Sequence, residues 1–251
     1  MICDKENVVL TGFRNLDALT GGMRRKEMIV FAGNYPGIGK STFTLNIAIS
    51  LAYAGKSIVL FSGELKKNKI SERLLCMRSG IDSKMFRDLS FMPSDINNMK
   101  NSANEFKNLN FLVHDDEIRI ETVKSKCAEI KREKGLDLVI IDNLHSLKLG
   151  IEGNQTAAIE DICSKARAMA VELDVPALCT SKVTRKAYNN NPKLDHLRDS
   201  NRIGDYAAQV WFLIWKEKSE EAELRIIKNT GGKTGSVRFH FTGERFFFSE
   251  V

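Results

Sequence analysis

The stretch Asn34-Tyr35-Pro36-Gly37-Ile38-Gly39-Lys40-Ser41 constrains the fold of this chain more than any other. Before it, Met28-Ile29-Val30-Phe31-Ala32 has the length and branching of a buried strand, and the residues after Lys40 carry apolar faces at helical spacing. The spacing is that of the G-x-x-x-x-G-K-[ST] phosphate loop, with Asn34 in place of the usual first glycine and Gly33 one position earlier. Gly37 and Gly39, flanked by Pro36 and Ile38, let the backbone turn with its N–H groups inward, and the helix that follows adds the positive end of its dipole. Lys40 then brings a positive charge to the β- and γ-phosphates, and Ser41 offers a hydroxyl to Mg²⁺ with Thr42 beside it. The bland alternative is a glycine-rich turn that binds nothing. A strand before and a helix after are the context that phosphate binding requires.

Composition sets the scale. At 251 residues, 43% hydrophobic and 28% charged, the chain fits one large α/β domain with a substantial core. The cysteines Cys3, Cys76, Cys127, Cys163 and Cys179 form no C-x-x-C pair and are odd in number, which indicates neither a disulfide framework nor a zinc site. No apolar run reaches the length of a membrane span, and the first residues do not resemble a signal peptide. A cytoplasmic protein with reduced thiols and no membrane partner is expected.

The formal net charge is +6, which permits a polyanionic partner. Its distribution matters more than its sum. Lys182, Arg185, Lys186, Lys193, Arg198 and Arg202 face only Asp195 and Asp199 across one segment that includes the polar turn Asn189-Asn190-Asn191-Pro192. This reads as an exposed, mobile basic loop, either an ordinary solvated loop or a grip for nucleic-acid phosphates.

The remaining sequence alternates strand-like and helix-like segments. Strands are expected at 57–62, 111–114, 138–141 and 177–181, with helices at about 69–79, through a polar region to 109, at 120–134 and at 155–173. That order implies a mainly parallel sheet covered on both faces. Segments 210–215, 224–228, 237–241 and 245–249, joined by short polar turns, suggest an antiparallel extension at the sheet edge. In such sheets ligands bind beyond the carboxyl ends of the strands. Asp142, ending "LVIID", is placed to hold Mg²⁺ through water or simply to cap the next turn. Glu64, after "IVLFSG", is placed to take a proton from an attacking water or to cap the next helix.

With these residues in view, the chain resembles the RecA-type motor domain of DnaB-like replicative DNA helicases. Thr11-Gly12-Phe13, Leu16-Asp17 and Thr20-Gly21-Gly22 match the family's lead-in, "SGE" its catalytic-glutamate motif and "IIDNLHSL" its Walker B segment. "LCTSKVTR" matches its sensor strand, "DHLRDS" its DNA-loop segment and "KNTGGKTGSVRFHFTGERFFF" its antiparallel end. The resemblance implies a RecA-like P-loop NTPase fold, ATP and Mg²⁺ as ligands, and a hexameric ring with nucleotide between neighbours. It also implies single-stranded DNA held by central loops, with a primase or a helicase loader as further partner. Residues 1–10 read as a lead-in and 11–251 as the motor domain. Ten residues leave no room for the family's helical N-terminal domain, so an excised motor or a naturally short phage or mobile-element relative is expected.

The chain departs from the family pattern at three positions. Lys182 and His145 stand where the family usually has glutamines, and either can still hydrogen-bond a phosphate as a sensor; His145 can equally be a packed histidine. Aligning the tail puts Lys228 on the family's trans-acting lysine, a catalytic position, but Thr230 on its arginine finger. Slow hydrolysis is therefore expected unless Lys228, Lys233 or another residue supplies the missing cation. A RecA-type recombination ATPase and a hydrolysis-poor partner of a host helicase or loader are the alternative functions.

Overall fold

A computed structural model describes residues 7–116, 119–148, 154–188, 191–198, 202–215 and 220–251. Cys3, the Asn189-Asn190 turn and Asp199 lie outside the described residues. In chain order the elements are β1 (Val8–Val9), α1 (Arg14–Thr20), β2 (Met23–Arg24), β3 (Met28–Gly33), α2 (Lys40–Tyr53), β4 (Ile58–Ser62), α3 (Lys67–Ser79), α4 (Ser83–Asp88) and α5 (Pro93–Phe106). They continue with β5 (Phe111–His114), α6 (Ile120–Lys134), β6 (Leu138–Asp142), α7 (Gln155–Glu172), β7 (Ala177–Thr180) and α8 (Ile203–Tyr206). The chain ends with β8 (Gln209–Trp215), β9 (Glu221–Asn229), β10 (Gly235–Thr242) and β11 (Phe247–Glu250).

The 9-stranded sheet has the order β11-β10-β9-β8-β3-β7-β6-β4-β5. From β8 to β5 every pairing is parallel, and β9, β10 and β11 add on antiparallel. The expected α/β fold, a mainly parallel sheet with an antiparallel C-terminal extension, is what forms. Its two-sided cover follows from the period of the strand. Met28, Val30 and Ala32 of β3 join Val139 and Ile141 of β6 in a core under α6 and α7. Ile29 and Phe31 alternate to the other face, with Leu138 and Ile140, under α1, α2 and α3.

Phe43 ties the antiparallel extension to the phosphate-loop helix. Its ring on α2 lies 5.1 Å from Phe13, 5.4 Å from Phe31, 5.1 Å from Phe239 and 5.1 Å from Phe248. One aromatic side chain thus joins the lead-in, the central strand and the C-terminal hairpins, so α2 cannot shift without disturbing all three.

The lead-in motif is structural. Asp17 accepts hydrogen bonds from Thr11 N–H at 2.7 Å, Thr11 Oγ1 at 2.8 Å and Gly12 N–H at 3.2 Å, clamping the turn before α1. Glu250 of β11 caps the same helix through Asn15 and Leu16 N–H, both at 2.9 Å. Burial nonetheless holds the Asp17 carboxyl above the usual range. Val8–Val9 pairs antiparallel with Met23–Arg24 and buries Val9, so the folded unit includes the end of the ten-residue lead-in.

Two boundaries differ from the sequence reading for local reasons. The polar helical region splits into α4 and α5 because Leu89 adopts a left-handed conformation (φ 49°) and Pro93 opens a new helix. The last strand begins at Phe247 and not at 245, because Gly243–Arg245 forms a 3₁₀ turn and Phe246 is left-handed at φ 53°. Among the described residues no helix is long and apolar enough to cross a membrane.

Candidate functional site

The carboxyl ends of β3, β4 and β6 converge on the phosphate loop. Gly37 (φ 77°) and Gly39 (φ 99°) both occupy the left-handed region, which lets the loop fold over the strand end. Gly39 is the N-cap of α2, so the unpaired N–H groups of the first helical turn open into the cleft. Lys40 is half-buried rather than exposed. Burial lowers its pKa, opposed by the nearby carboxylates of Asp142 and Glu64 and reinforced by Lys182. Such a desolvated cation gains from any anion that enters.

Asp142 does not cap the turn after β6. It is 3% exposed, accepts from Thr180 Oγ1 at 2.6 Å and is hydrogen-bonded by the Ser41 hydroxyl. Burial pushes its carboxyl pKa up, against the pull of those hydroxyls. Ser41 and Asp142 thus form a hard oxygen pair at the mouth of the phosphate loop, and among the described residues no group of three or more His, Cys, Asp or Glu could hold a metal. Two protein oxygens beside a phosphate cradle suit Mg²⁺, which keeps several waters and takes the rest of its shell from substrate phosphates.

Glu64 does not cap a helix either. The helix α3 begins after Lys66, and its Lys67 N–H is satisfied by Asp115 Oδ2 at 3.0 Å. Glu64 instead accepts from Asn143 Nδ2 at 2.7 Å and lies 3.5 Å from Lys182 Nζ. Its strand end approaches β6 closely: Gly63 N–H donates to the Asp142 carbonyl at 2.7 Å, and a Cβ on Gly63 would lie 2.2 Å from Ser146 Cβ. Both expected carboxylates therefore reach the phosphate loop on adjacent strands, β4 and β6.

His145 and Lys182 come together through the backbone. Lys182 N–H donates to His145 Nδ1 at 3.5 Å, and His145 Nε2 lies 3.3 Å from the Arg198 carbonyl. One neutral tautomer, with the proton on Nε2, satisfies both contacts. Arg198 N–H returns to the Lys182 carbonyl at 3.0 Å. The basic segment is correspondingly more ordered than an open loop. Val183 bridges Leu197, Thr184 N–H donates to the His196 carbonyl at 2.8 Å, and short 3₁₀ turns form at Arg185–Ala187 and Leu194–His196. Arg185, Lys186, Lys193, Arg198 and Arg202 are all exposed on this hairpin and its exit. Arg202 lies 3.7 Å from Glu160 of α7.

Lys228 and Thr230 lie elsewhere. Thr230 N–H donates to the Ala208 carbonyl and Ala208 N–H to the Met28 carbonyl, so Thr230 is level with the start of β3. The phosphate loop leaves the other end of that strand, about 15–20 Å away. Neither residue can reach the nucleotide site of its own chain. The Lys228 amine donates to the Gly204 carbonyl at 2.8 Å.

The far wall of the cleft escaped sequence reasoning. Beyond the loop it is lined by Arg73, Trp215, Phe241 and Phe246. Arg73 donates to Thr42 Oγ1 at 2.9 Å and its guanidinium lies 5.1 Å from the Phe246 ring centre. Asn46 of α2 fixes this wall, donating to the Phe246 carbonyl at 2.9 Å and accepting from Phe248 N–H at 3.1 Å. The one hint in the sequence was the aromatic run Phe246-Phe247-Phe248.

Known proteins resemble this chain in sequence and in fold. Residues 8–250 match the family model of the DnaB-like helicase C-terminal domain. The chain is 28% identical over 248 residues to the replicative DNA helicase DnaB of Geobacillus stearothermophilus, covering 93% of this chain and 54% of that protein. It is 30% identical over 252 residues to DnaB of Pasteurella multocida, covering 94% and 54%. To a probable plasmid replicative DNA helicase of Chlamydia muridarum it is 25% identical over 246 residues, covering 96% and 54%. The chain thus spans about half the length of the curated relatives it matches. Among solved structures, one of an ATPase domain superposes with a TM-score of 0.91 at 25% identity, covering 99% of this chain and 93% of that one. A DnaB-like replicative helicase studied for its interactions with primase gives 0.91 at 25%, covering 100% and 64%.

Proposed function

The chain belongs to the DnaB-like helicase C-terminal domain family, and on that footing we propose that it is the ATP-hydrolysing motor of a replicative DNA helicase, coupling phosphoryl transfer to movement along single-stranded DNA. The observation that carries this reading is the line of contacts from the nucleotide site to the basic hairpin: the ion pair of Glu64 with the Lys182 amine, the Lys182 backbone N–H on His145 Nδ1, and His145 Nε2 beside the Arg198 carbonyl. A plain nucleotide-binding module has no need of that connection. In a motor it lets the occupancy of one site bias the other.

ATP lies with its phosphates in the loop formed by residues 33–39, its terminal phosphates at Lys40 and its base toward Arg73, Trp215, Phe241 and Phe246. Ser41, and Asp142 through water, would hold Mg²⁺, which would supply charge neutralisation at the phosphates. Glu64, oriented by Asn143, takes a proton from the attacking water. The water oxygen bonds to the γ-phosphorus as the bond to ADP breaks, and ADP keeps the electron pair. Lys182 and His145 act as sensors, since Lys182 can exchange Glu64 for a phosphate oxygen and His145 passes the shift to Arg198.

Lys228 acts on a neighbouring chain, because its own nucleotide site is a strand's length away. Repeating that head-to-tail contact closes into a ring, and a hexamer is the assembly that the family likeness supports. The basic hairpins then face a shared strand of DNA. A cytoplasmic setting, and a primase or loader as further partner, belong to the same reading.

The DNA arm has a direct test. If Arg198 and Arg202, with Arg185, Lys186 and Lys193, meet phosphates, single-strand binding will be nearly indifferent to sequence and will weaken steeply with salt. Each of Arg198→Ala and Arg202→Ala is expected to reduce the log–log salt slope by about 0.7. A titration in which the double variant keeps both the affinity and the slope removes the hairpin from the DNA interface.

A further inference from the structure

We propose that a neutral imidazole closes the root of the basic hairpin: His145 is a positioning residue for DNA binding, and protonating it loosens the grip on single-stranded DNA. The inference rests on the DNA reading above and adds to it a residue, from outside the hairpin, that sets the hairpin's shape.

The hairpin has two arms, 182–184 and 196–198, paired antiparallel at the bridge Val183–Leu197. Two backbone bonds make that bridge, Thr184 N–H to the His196 carbonyl at 2.8 Å and Arg198 N–H to the Lys182 carbonyl at 3.0 Å. In an antiparallel ladder the next opposed pair, Lys182 and Arg198, would exchange both of its bonds. Here the return bond is not made. The Lys182 N–H is directed instead to His145 Nδ1 at 3.5 Å, and the Arg198 carbonyl lies 3.3 Å from His145 Nε2. The ring takes the place of the missing backbone bond and spans the two arms. It is held from behind, since Leu144 and Leu147 on either side of it are buried in the core under α7. Both contacts are long, so the joint is weak and readily undone.

Spanning the arms takes one acceptor and one donor, which a neutral ring with its proton on Nε2 provides. A second proton, on Nδ1, sets N–H against N–H and leaves the Lys182 N–H without its acceptor. Imidazole is the side chain whose ordinary titration range lies near neutrality. The sign follows: the closed hairpin binds fewer protons than the open one, so the grip is full above the imidazole's range and is lost as pH falls through it.

Plain electrostatics predicts the reverse. The charged groups on the elements packed around the ring are Lys182 and Arg198 of the hairpin, Asp142 and Lys148 of its own segment, Glu64 after β4, and Glu160 of α7 with Arg202. Bound DNA adds phosphates to the carboxylates and favours the imidazolium, and any histidine that gains a proton makes the protein a better polyanion binder. The direction of the pH effect therefore separates a hydrogen-bonding imidazole from one that only contributes charge.

The test is single-strand binding across pH. A thymidine oligonucleotide with a pH-insensitive dye is titrated with the chain at constant ionic strength, and thymine gains no proton in the range used. Affinity is expected to fall about tenfold between about pH 7.5 and about pH 5.5, the equivalent of one hydrogen bond. His145→Ala is expected to be about tenfold weaker already at the higher pH and to weaken no further on acidification. His145→Gln keeps an acceptor and a donor on one side chain and does not titrate. It is expected to recover to within about threefold of the unmodified protein at the higher pH and to bind no more weakly at the lower. Should His145→Ala lower the melting temperature, His145→Gln carries the comparison alone. Nitrogen NMR, with His145→Gln identifying the resonance, is expected to show the Nε2–H tautomer in the neutral ring. A proton on Nδ1 of that ring, an affinity that stays flat or rises as the unmodified protein is acidified, or a loss that persists in His145→Gln overturns the assignment. The last outcome would pass the effect to His196, whose Nδ1 accepts from Lys193 N–H at 3.3 Å in the same hairpin. An Arg198→Ala/Arg202→Ala protein that keeps the parent affinity would instead remove the hairpin from the DNA interface, so the two failures are distinct.

Discussion

A chain carrying Glu64→Gln is expected to bind ATP as tightly as the unmodified protein and to hydrolyse it about 10³-fold more slowly. Glutamine keeps the oxygen that accepts from Asn143 Nδ2 and removes only the basicity. The ion pair with Lys182 disappears as well, but both partners are more than 40% exposed, and a contact of that kind contributes little to stability. The fold should survive with a melting temperature within a few degrees of the parent. Single-turnover hydrolysis with equilibrium binding separates the steps. Hydrolysis persisting at the parent rate would mean that Glu64 only holds Asn143 and Lys182 in place.

Lys40→Ala is expected to lose at least about two orders of magnitude in ATP affinity, through loss of charge-assisted hydrogen bonds to the phosphates. Stability should hardly fall. Burial disfavours the charged form of Lys40 in the folded protein, so removing the amine relieves a cost while leaving Asp142 its two hydroxyl donors. Calorimetric titration with ATP and Mg²⁺, beside a thermal melt, reads both quantities. A folded Lys40→Ala protein that binds ATP with parent affinity would refute the phosphate-loop assignment.

These two residues were legible because their signals are local. The run Met28–Ala32, the glycines at 37 and 39 and the lysine that follows are contiguous, and a strand–loop–helix unit is decided by neighbours in sequence. Asp142 and Glu64 were legible for a related reason: each ends an apolar run, and the parallel sheet brings such ends together. The capping alternatives could not be weighed from sequence, since it takes tertiary contacts to show that Asp115 caps α3 and that Thr180 and Ser41 hold Asp142. The far wall of the cleft was not legible. Arg73, Trp215 and Phe246 are brought together only because Phe43 and Asn46 of α2 fix the C-terminal hairpins over the loop, and such tertiary contacts leave no periodic trace.

The basic segment shows the same division. Its charge was plain from composition, whereas its shape depends on the Val183–Leu197 bridge and on His145, which lies on a different strand's exit.

The central claim, that this chain is a motor whose site is completed by its neighbour and driven by DNA, is tested most directly by ATP turnover per chain. It should be measured across a range of protein concentrations with and without single-stranded DNA, the mass being followed in the same samples by light scattering. The account predicts slow turnover in monomer, a steep rise as mass increases to that of the ring, and a further rise with DNA. Turnover per chain that is constant from monomer to assembly and indifferent to DNA would contradict it.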